Sequence, residues 1–497
     1  MTIPSVKQIL IDLGPTLSSD IRKELEKHGI SAVAARKRIQ RAKGTIKHLE
    51  GITFPHNEQF LYIEDQVAAP VFRSSLLKAF DQTNSCYGMA INSLEARKGV
   101  ILKKYFGIIS GSPINVKGHI ISESVLDSLI DLGIVECSSF SIGKCVHLFN
   151  QDSQTIDVKS VKARLEIEKI ILDGFKEWVK NLGIVSYNKV SIRGDANRDN
   201  FGSFEWDINA PSYTHPFVRF DKSGSPKPGF LVGDVIWSSI DKESHIKYFL
   251  NKCRIIRNNN KNRPFIAFLI AKRFAKDAFN CGRKEGLIFT TPENLFGKGV
   301  SDGLSNVFEL FSTDVVGHDK LPERIEDIFK KLEGFKSIIG NLRGKLFEMI
   351  AGDSLHRAGY TIDIGLNITD PKSRKNAEID VVAESGNHKE VTVYECKGNL
   401  EDYEISDSVV RKWVTISIPR INNWLNRNPG RYVQAHQKRF EFWTTGKFHK
   451  DAINYLKAIK KKSKHSISWK DRKDVLSYIK KSGSDDSYKV IKQYYSK

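Results

Sequence analysis

Few cysteines, no long apolar run and no glycine-rich phosphate loop: the chain is first defined by what it does without. Its six cysteines stand at 86, 137, 145, 253, 281 and 396, and no two form a Cys-x-x-Cys pair. That spacing argues against a zinc finger or a disulfide framework and fits a reducing compartment. The longest purely apolar stretch of note, Phe265 to Ala271, falls far below the roughly 20 residues a membrane span needs. The opening Met-Thr-Ile-Pro-Ser-Val-Lys has no signal-peptide core, so a cytoplasmic protein with no membrane partner is expected. Gly340-Asn-Leu-Arg-Gly344-Lys345-Leu346 is one residue short of a P-loop and lacks the Ser or Thr that would bind Mg²⁺. No nucleotide cofactor is therefore expected, and no methyltransferase-like glycine motif stands out.

What is present is charge and length. The 497 residues exceed what one hydrophobic core usually organises, so several domains are expected. Hydrophobic content of 40% with 27% charged residues suits a folded chain. A net charge of +20 favours polyanions through phosphate contacts and counterion release. A solvated basic surface is the plainer reading of the same number.

Periodicity divides the N-terminal third into two similar patterns. Val6, Ile9, Leu10 and Leu13 space a helix that Gly14-Pro15 ends; Ser18-Ser19-Asp20 caps a second, and Ser31 a third over Ala32 to Ala42. Strand-like runs follow at Ile46–Phe54 and Gln59–Ile63. This is the winged-helix layout, and Arg36, Lys37, Arg38 and Arg41 sit where a major-groove reader would place its basic contacts. A second, less basic version runs over 75–150, with a helix from Ser122 and wing strands near Ile134 and Val146. For it, protein contact or dimerisation is as good a reading as DNA contact, and a helical scaffold without a nucleic-acid role accounts for either copy.

The middle reads as a helix (Val161 to about Leu182), a meander of strands (Lys189–Arg193, Phe204–Ile208, Phe230–Trp237), then alternating helices and strands to Thr290. Arg273-Phe-Ala-Lys276-Asp277-Ala278-Phe-Asn280 matches Lys447-Phe-His-Lys450-Asp451-Ala452-Ile-Asn454 at five of eight positions. The chain is therefore expected to carry two copies of one fold. In the middle copy Asp207 is the counterpart of Asp380. Its Leu231-Val-Gly233-Asp234-Val235 strand offers no lysine, and glycine where a glutamate is needed. That copy is expected to be inactive.

Chemistry concentrates in 376–400. Asn-Ala-Glu378-Ile-Asp380-Val-Val-Ala and Val-Thr-Val-Tyr-Glu395-Cys-Lys397-Gly read as two strands joined at Gly386-Asn387. Side chains alternate along a strand, so Glu395 and Lys397 share a face, with Asp380 on the neighbouring strand. Two carboxylates and one ammonium make a compact site for a hard divalent cation and an activated water. Cys396 reads as a small core residue, and His356, His388 and His449 have no ligand spacing. Lysines 457, 460, 461, 462 and 464 form a basic run that reads equally as a solvated helix end or a phosphate-contacting edge.

Residues 341–470 resemble the PD-(D/E)xK nuclease superfamily, and within it the Mrr-type restriction endonucleases. The resemblance rests on Phe347-Glu348 before a helix ending in Ala-Gly-Tyr360, then Glu378-Ile-Asp380, Glu395-Cys-Lys397, and Phe442-Trp-Thr-Thr-Gly446 ahead of Asp451-Ala452. One departure is Ile379 where the family motif has proline. The resemblance implies that Asp380, Glu395 and the Cys396 backbone carbonyl hold Mg²⁺ (or Mn²⁺). It implies also that Lys397 orients or polarises the attacking water, and that Glu348 supports the site from its helix.

The expected architecture is a multidomain α+β and α/β chain. Two winged-helix-like domains (1–70 and 71–155) precede a degenerate restriction-endonuclease-like α/β domain (156–300), a connecting helical segment (301–340) and a PD-(D/E)xK α/β nuclease domain (341–497). The expected activity is metal-dependent endonucleolytic cleavage of DNA, presumed duplex, in prokaryotic restriction or anti-phage defence, with a homodimer to cut both strands. A catalytically silent DNA-binding regulator or scaffold, and an RNA nuclease, are the alternatives.

Overall fold

Short helices closed by glycine and short strands set by alternation recur along this chain, and they gather into two units. The computed structural model describes residues 3–496 apart from 69, 150–155, 196–199, 216, 260–262, 314–319, 387–389 and 428–436. The turn residue Asn387 and His388 therefore lie outside the described residues. One unit comprises Met1–Ser138, Lys144–Gln154 and Gly183–Thr291; the other comprises Ser139–Gly143, Thr155–Leu182 and Pro292–Lys497. Both mix helices with small sheets. Among the described residues no helix is long and apolar enough to cross a membrane.

In the first unit, helices Val6–Leu13, Ser18–Lys27 and Ala32–Arg41 bury Ile9, Leu10, Ile21, Leu25, Ala35 and Ile39 in one cluster. Ser5 and Ser31 cap the first and third through their hydroxyls. Ser18 does not cap the second: the cap is Leu17, and Ser18 Oγ donates instead to Glu58 at 2.7 Å. The reason is tertiary, because Thr16 and Leu17 pair with Leu61 and Phe60 as a short strand. The strand runs expected at 46–54 and 59–63 shrink to Lys47–His48 and Phe60–Tyr62, with a tight turn at Pro55–Asn57 between them in which His56 and Asn57 take positive φ. The second pattern yields helix Ser122–Asp131 and a three-stranded sheet of Val100–Leu102, Gly143–Leu148 and Val135–Phe140.

Each unit also holds one five-stranded sheet, and the two sheets share a strand order. In the first unit it runs Ser191–Ile192, Ile208–Ser212, Gly229–Ile240, Phe265–Phe274, Ile288–Thr290. The first two pairings are antiparallel and the last two parallel. In the second unit it runs Thr361–Thr369, Asn376–Glu384, Glu390–Lys397, Gln437–Thr444, Ser466–Lys470, with the same two antiparallel and two parallel pairings. The repeated Phe…Lys-Asp-Ala…Asn segments open the helices Lys276–Lys284 and Lys450–Lys462.

The second unit's sheet packs its apolar face on Val410, Trp413, Ile418, Ile421 and Leu425 of one long helical stretch. That stretch passes from Asp407–Lys412 through a π-helical segment, Trp413–Ser417, into Ile418–Arg427. Pro419 has no N–H to give to the preceding turn, which accounts for the widened segment. The helix Val158–Asn181, expected to open the middle domain, belongs to this unit and packs with Lys298–Ser312 and Lys336–Arg357. The would-be P-loop glycines 340 and 344 lie inside Lys336–Arg357, so no phosphate-cradling loop forms there.

Candidate active site

The central strand Glu390–Lys397 pairs antiparallel with Asn376–Glu384 through Val381↔Tyr394. Carrying that register one step places Asp380 across from Glu395, and three steps place Glu378 across from Lys397. All four therefore share a face. Beyond Val381 the ladder opens: the Cys396 N–H donates to Asp380 Oδ2 at 2.7 Å. Lys397 Nζ lies 2.6 Å from Glu395 Oε1 and 3.8 Å from Asp380 Oδ2. The three groups read from the sequence thus meet.

The helix Lys336–Arg357 comes down on this face and adds two more charges. Glu348, buried, and Lys345 lie 3.2 Å apart, and Lys345 Nζ reaches Glu378 at 2.6 Å. Gly398, directly after the lysine, allows this approach. A Cβ there would stand 2.4 Å from the Arg343 carbonyl oxygen and 2.8 Å from Phe347 Cβ. The strand ends in Glu-Cys-Lys-Gly because a larger residue would push the helix, and Glu348 with it, off the site.

Electrostatics follow from crowding four carboxylates around the ammoniums of Lys345 and Lys397, with Lys162 close enough to act on Glu378 and Glu348. Burial, then the charge of Glu395, pushes the Asp380 carboxyl up to about 7. Burial and Asp380 raise Glu348 well above the usual carboxylate range. Glu378 goes the other way: burial would raise it, but Lys345 outweighs that and holds it low. Burial also works against both ammoniums, yet Glu395 and Asp380 hold Lys397 above its ordinary value, and Glu348 and Glu378 do so for Lys345. The Cys396 thiol, buried beside Asp380, is pushed well up, which removes it as a nucleophile. Sequence reasoning missed Lys345 and gave Glu378 no role. The available signal was Lys345 three residues before Glu348 on one helix face.

Elsewhere the expected nucleic-acid contacts are displayed. Arg36, Lys37 and Arg41 are exposed on helix Ala32–Arg41 and Arg38 is half-buried, while Ala35 and Ile39 face inward.

The first unit's sheet repeats the acidic pair with one correction. The pairing Gly233↔Ile208, continued by one residue, puts Asp234, not Gly233, opposite Asp207. The Val235 N–H donates to Asp207 Oδ2 at 2.8 Å, as Cys396 does to Asp380. The lysine is present too, but from a helix: Lys252 Nζ lies 2.7 Å from Asp234 Oδ2. It also donates to the Ile108 carbonyl at 3.1 Å and stands 3.8 Å over the Trp206 ring. Arg193 reaches Asp207 at 3.2 Å. Asp207, Asp234 and Lys252 are each 0% exposed, so this group is sealed from water.

No family model matches the chain, and no curated protein does. A solved structure, that of protein VC1899 from Vibrio cholerae, matches at 11% identity over 59% of this chain and 81% of its own. Its TM-score of 0.16 is too low to carry an argument.

Proposed function

We propose that the chain is a divalent-cation-dependent nuclease, with its PD-(D/E)xK-like site at Asp380, Glu395 and Lys397, that hydrolyses phosphodiester bonds in DNA. The observation that carries this reading is the convergence of those three groups under a helix that adds Glu348. On this reading the two N-terminal modules are winged-helix-like, with Arg36, Lys37 and Arg41 toward duplex, and the Asp207 sheet is a silent copy. Restriction or anti-phage defence is the role that the Mrr-type resemblance suggests.

A hard cation fits the donor set. Glu348, Glu378, Asp380 and Glu395 crowd around the ammoniums of Lys345 and Lys397, with Lys162 acting on Glu378 and Glu348, and burial, then the charge of Glu395, raises the Asp380 carboxyl. Asp380 and Glu395 would hold Mg²⁺ or Mn²⁺, with the Cys396 carbonyl, water and substrate phosphate completing the shell. When bound, the cation would polarise the phosphodiester and acidify the attacking water. The chain's own groups do the rest. Lys397 sits above the acidic pair, where it orients the water and stabilises charge that develops on phosphorus-bound oxygens. Glu348, its carboxyl raised by burial and by Asp380, is placed to hydrogen-bond that water, and Lys345 fixes Glu348 and Glu378 in place.

One observation favours a second reading, a silent nucleic-acid binder. Among the described residues no group of three or more His, Cys, Asp or Glu side chains is arranged to hold a metal. The deciding assay incubates wild type and Lys397→Ala with plasmid, linear DNA and RNA in Mg²⁺, with an EDTA control. Cleavage should need the cation and fall about 10²-fold or more in the variant. Equal activity of the variant discards the assignment.

A further inference from the structure

A groove of 490 Å³ opens where Lys447 meets the helices Arg472–Lys481 and Asp485–Tyr494. We propose that it carries the sugar–phosphate backbone of the bound nucleic acid away from the cleaved bond. The proposal rests on the nuclease reading for its substrate class and goes beyond it in naming a track.

Four ammonium groups line the groove: Lys447, Lys473, Lys480 and Lys492. All four residues are exposed. Lys473, Lys480 and Lys492 form no ion pair among the described residues, whereas neighbouring Lys489 holds Asp486 at 2.8 Å. Lys447 stands 4.0 Å from Asp402. The acid that lines the groove, Asp471, is committed as a helix cap, accepting the N–H groups of Lys473 and Asp474 at 2.9 and 3.2 Å. Tyr488 gathers two of the cations, with Lys480 and Lys492 Nζ each 5.6 Å from its ring centroid. Like charges collected in a concavity repel, and a polyanion relieves that cost. Four cations on three elements exceed what one small anion needs, and they suit successive phosphates.

The groove adjoins the candidate active site through the backbone. The Thr445 N–H donates to the Lys397 carbonyl at 3.1 Å, and Arg472 donates to the carbonyls of Thr445 and Gly446 at 3.1 Å each. The same few residues thus join the end of the catalytic strand to the groove floor. Contacts of this kind position the substrate and carry no sequence preference.

The test measures binding of full-length protein to fluorescent duplex DNA in EDTA across a salt series. Lys473→Gln/Lys480→Gln/Lys492→Gln should weaken binding by about tenfold or more and flatten the log–log salt slope by roughly 2–3, equally for unrelated sequences. Tyr488→Leu should weaken binding with a smaller change in slope. A parallel variant, Lys457→Gln/Lys461→Gln/Lys462→Gln, probes the basic run instead. An unchanged slope in the groove variant, at an unchanged melting midpoint, overturns the proposal; so does a loss confined to the basic-run variant. Wild type that cuts DNA with an indifferent groove variant removes the groove and leaves the nuclease. A groove-dependent binder that never cuts does the reverse.

Discussion

Asp207 and Asp380 occupy the same register position of two sheets with one strand order. Each accepts the backbone N–H of the residue that follows the facing acid, Val235 at 2.8 Å and Cys396 at 2.7 Å. What differs is the cation. Lys397 comes from the strand and is about one-third exposed, whereas Lys252 arrives from the helix Lys247–Asn258 and is closed in by Trp206 and the Ile108 carbonyl. One arrangement keeps an ammonium at the surface, and the other spends it neutralising a buried acid.

Lys252→Met should therefore destabilise the fold severely. It strands the Asp234 carboxylate, 0% exposed, without its ammonium, a kind of loss worth about 3–5 kcal/mol. Urea unfolding followed by tryptophan fluorescence measures it. Adding Asp234→Asn should recover part of the loss, because the pair is coupled. Additive losses in the double variant would mean that the pair does not interact.

At Asp380 the opposite sign is expected. Its carboxyl is raised to about 7 in the fold against an ordinary 3.8, chiefly by burial and then by Glu395. The native state thus holds a proton that the unfolded chain has lost between about pH 4 and 7, and stability falls as pH rises through that window. Asp380→Asn keeps an acceptor for the Cys396 N–H and removes the charge. In EDTA it should melt higher than wild type at pH 8, by up to a few kcal/mol of stability, with the gap closing toward pH 4. A variant that melts lower at pH 8 would show that the charge is not strained.

The same proton bears on cation binding. A cation on Asp380 and Glu395 must displace it, so Mg²⁺ or Mn²⁺ affinity should climb with pH through about 7 and level off above. Titration calorimetry at pH 6.5 in buffers of different ionisation enthalpy should show proton release on binding, and Glu395→Gln should abolish the heat. Binding that is independent of pH places the cation elsewhere.

The two strands at 376–400 were legible because β-branched and apolar residues dominate them and a glycine turn joins them. Asp380, Glu395 and Lys397 were legible because a strand fixes the facing of residues two apart. Lys252 was not, nor was the reach of Lys345 to Glu378, for a common reason. They reach their acids from helices, 18 residues after Asp234 and 33 before Glu378, and no local period encodes that contact. Gly233 was mistaken for the acidic position because a one-residue offset in a long apolar strand leaves its composition unchanged while reversing its faces. The helix Asp485–Tyr494 was overlooked, although its buried Ser487, Val490 and Ile491 carry the i, i+3, i+4 spacing.

Gly398 gives the sharpest test of how the helix serves the site. Its missing Cβ is what lets the Arg343 carbonyl and Phe347 approach the end of the strand Glu390–Lys397. Gly398→Ala removes no charged group and forces outward the helix that carries Glu348. Overpacking of this kind costs about 1–3 kcal/mol, enough to register as a lower melting midpoint. Cleavage should suffer more than folding, because a shift near 1 Å in a positioning group costs about 10²-fold in rate. The discriminating measurement is the pH–rate profile. As Glu348 withdraws from Asp380, the limb that reports Glu348 should move to lower pH in Gly398→Ala, since burial and the charge of Asp380 are what raise it. An unmoved limb with a uniformly slower rate would mean that the helix supports the fold and takes no part in tuning the site.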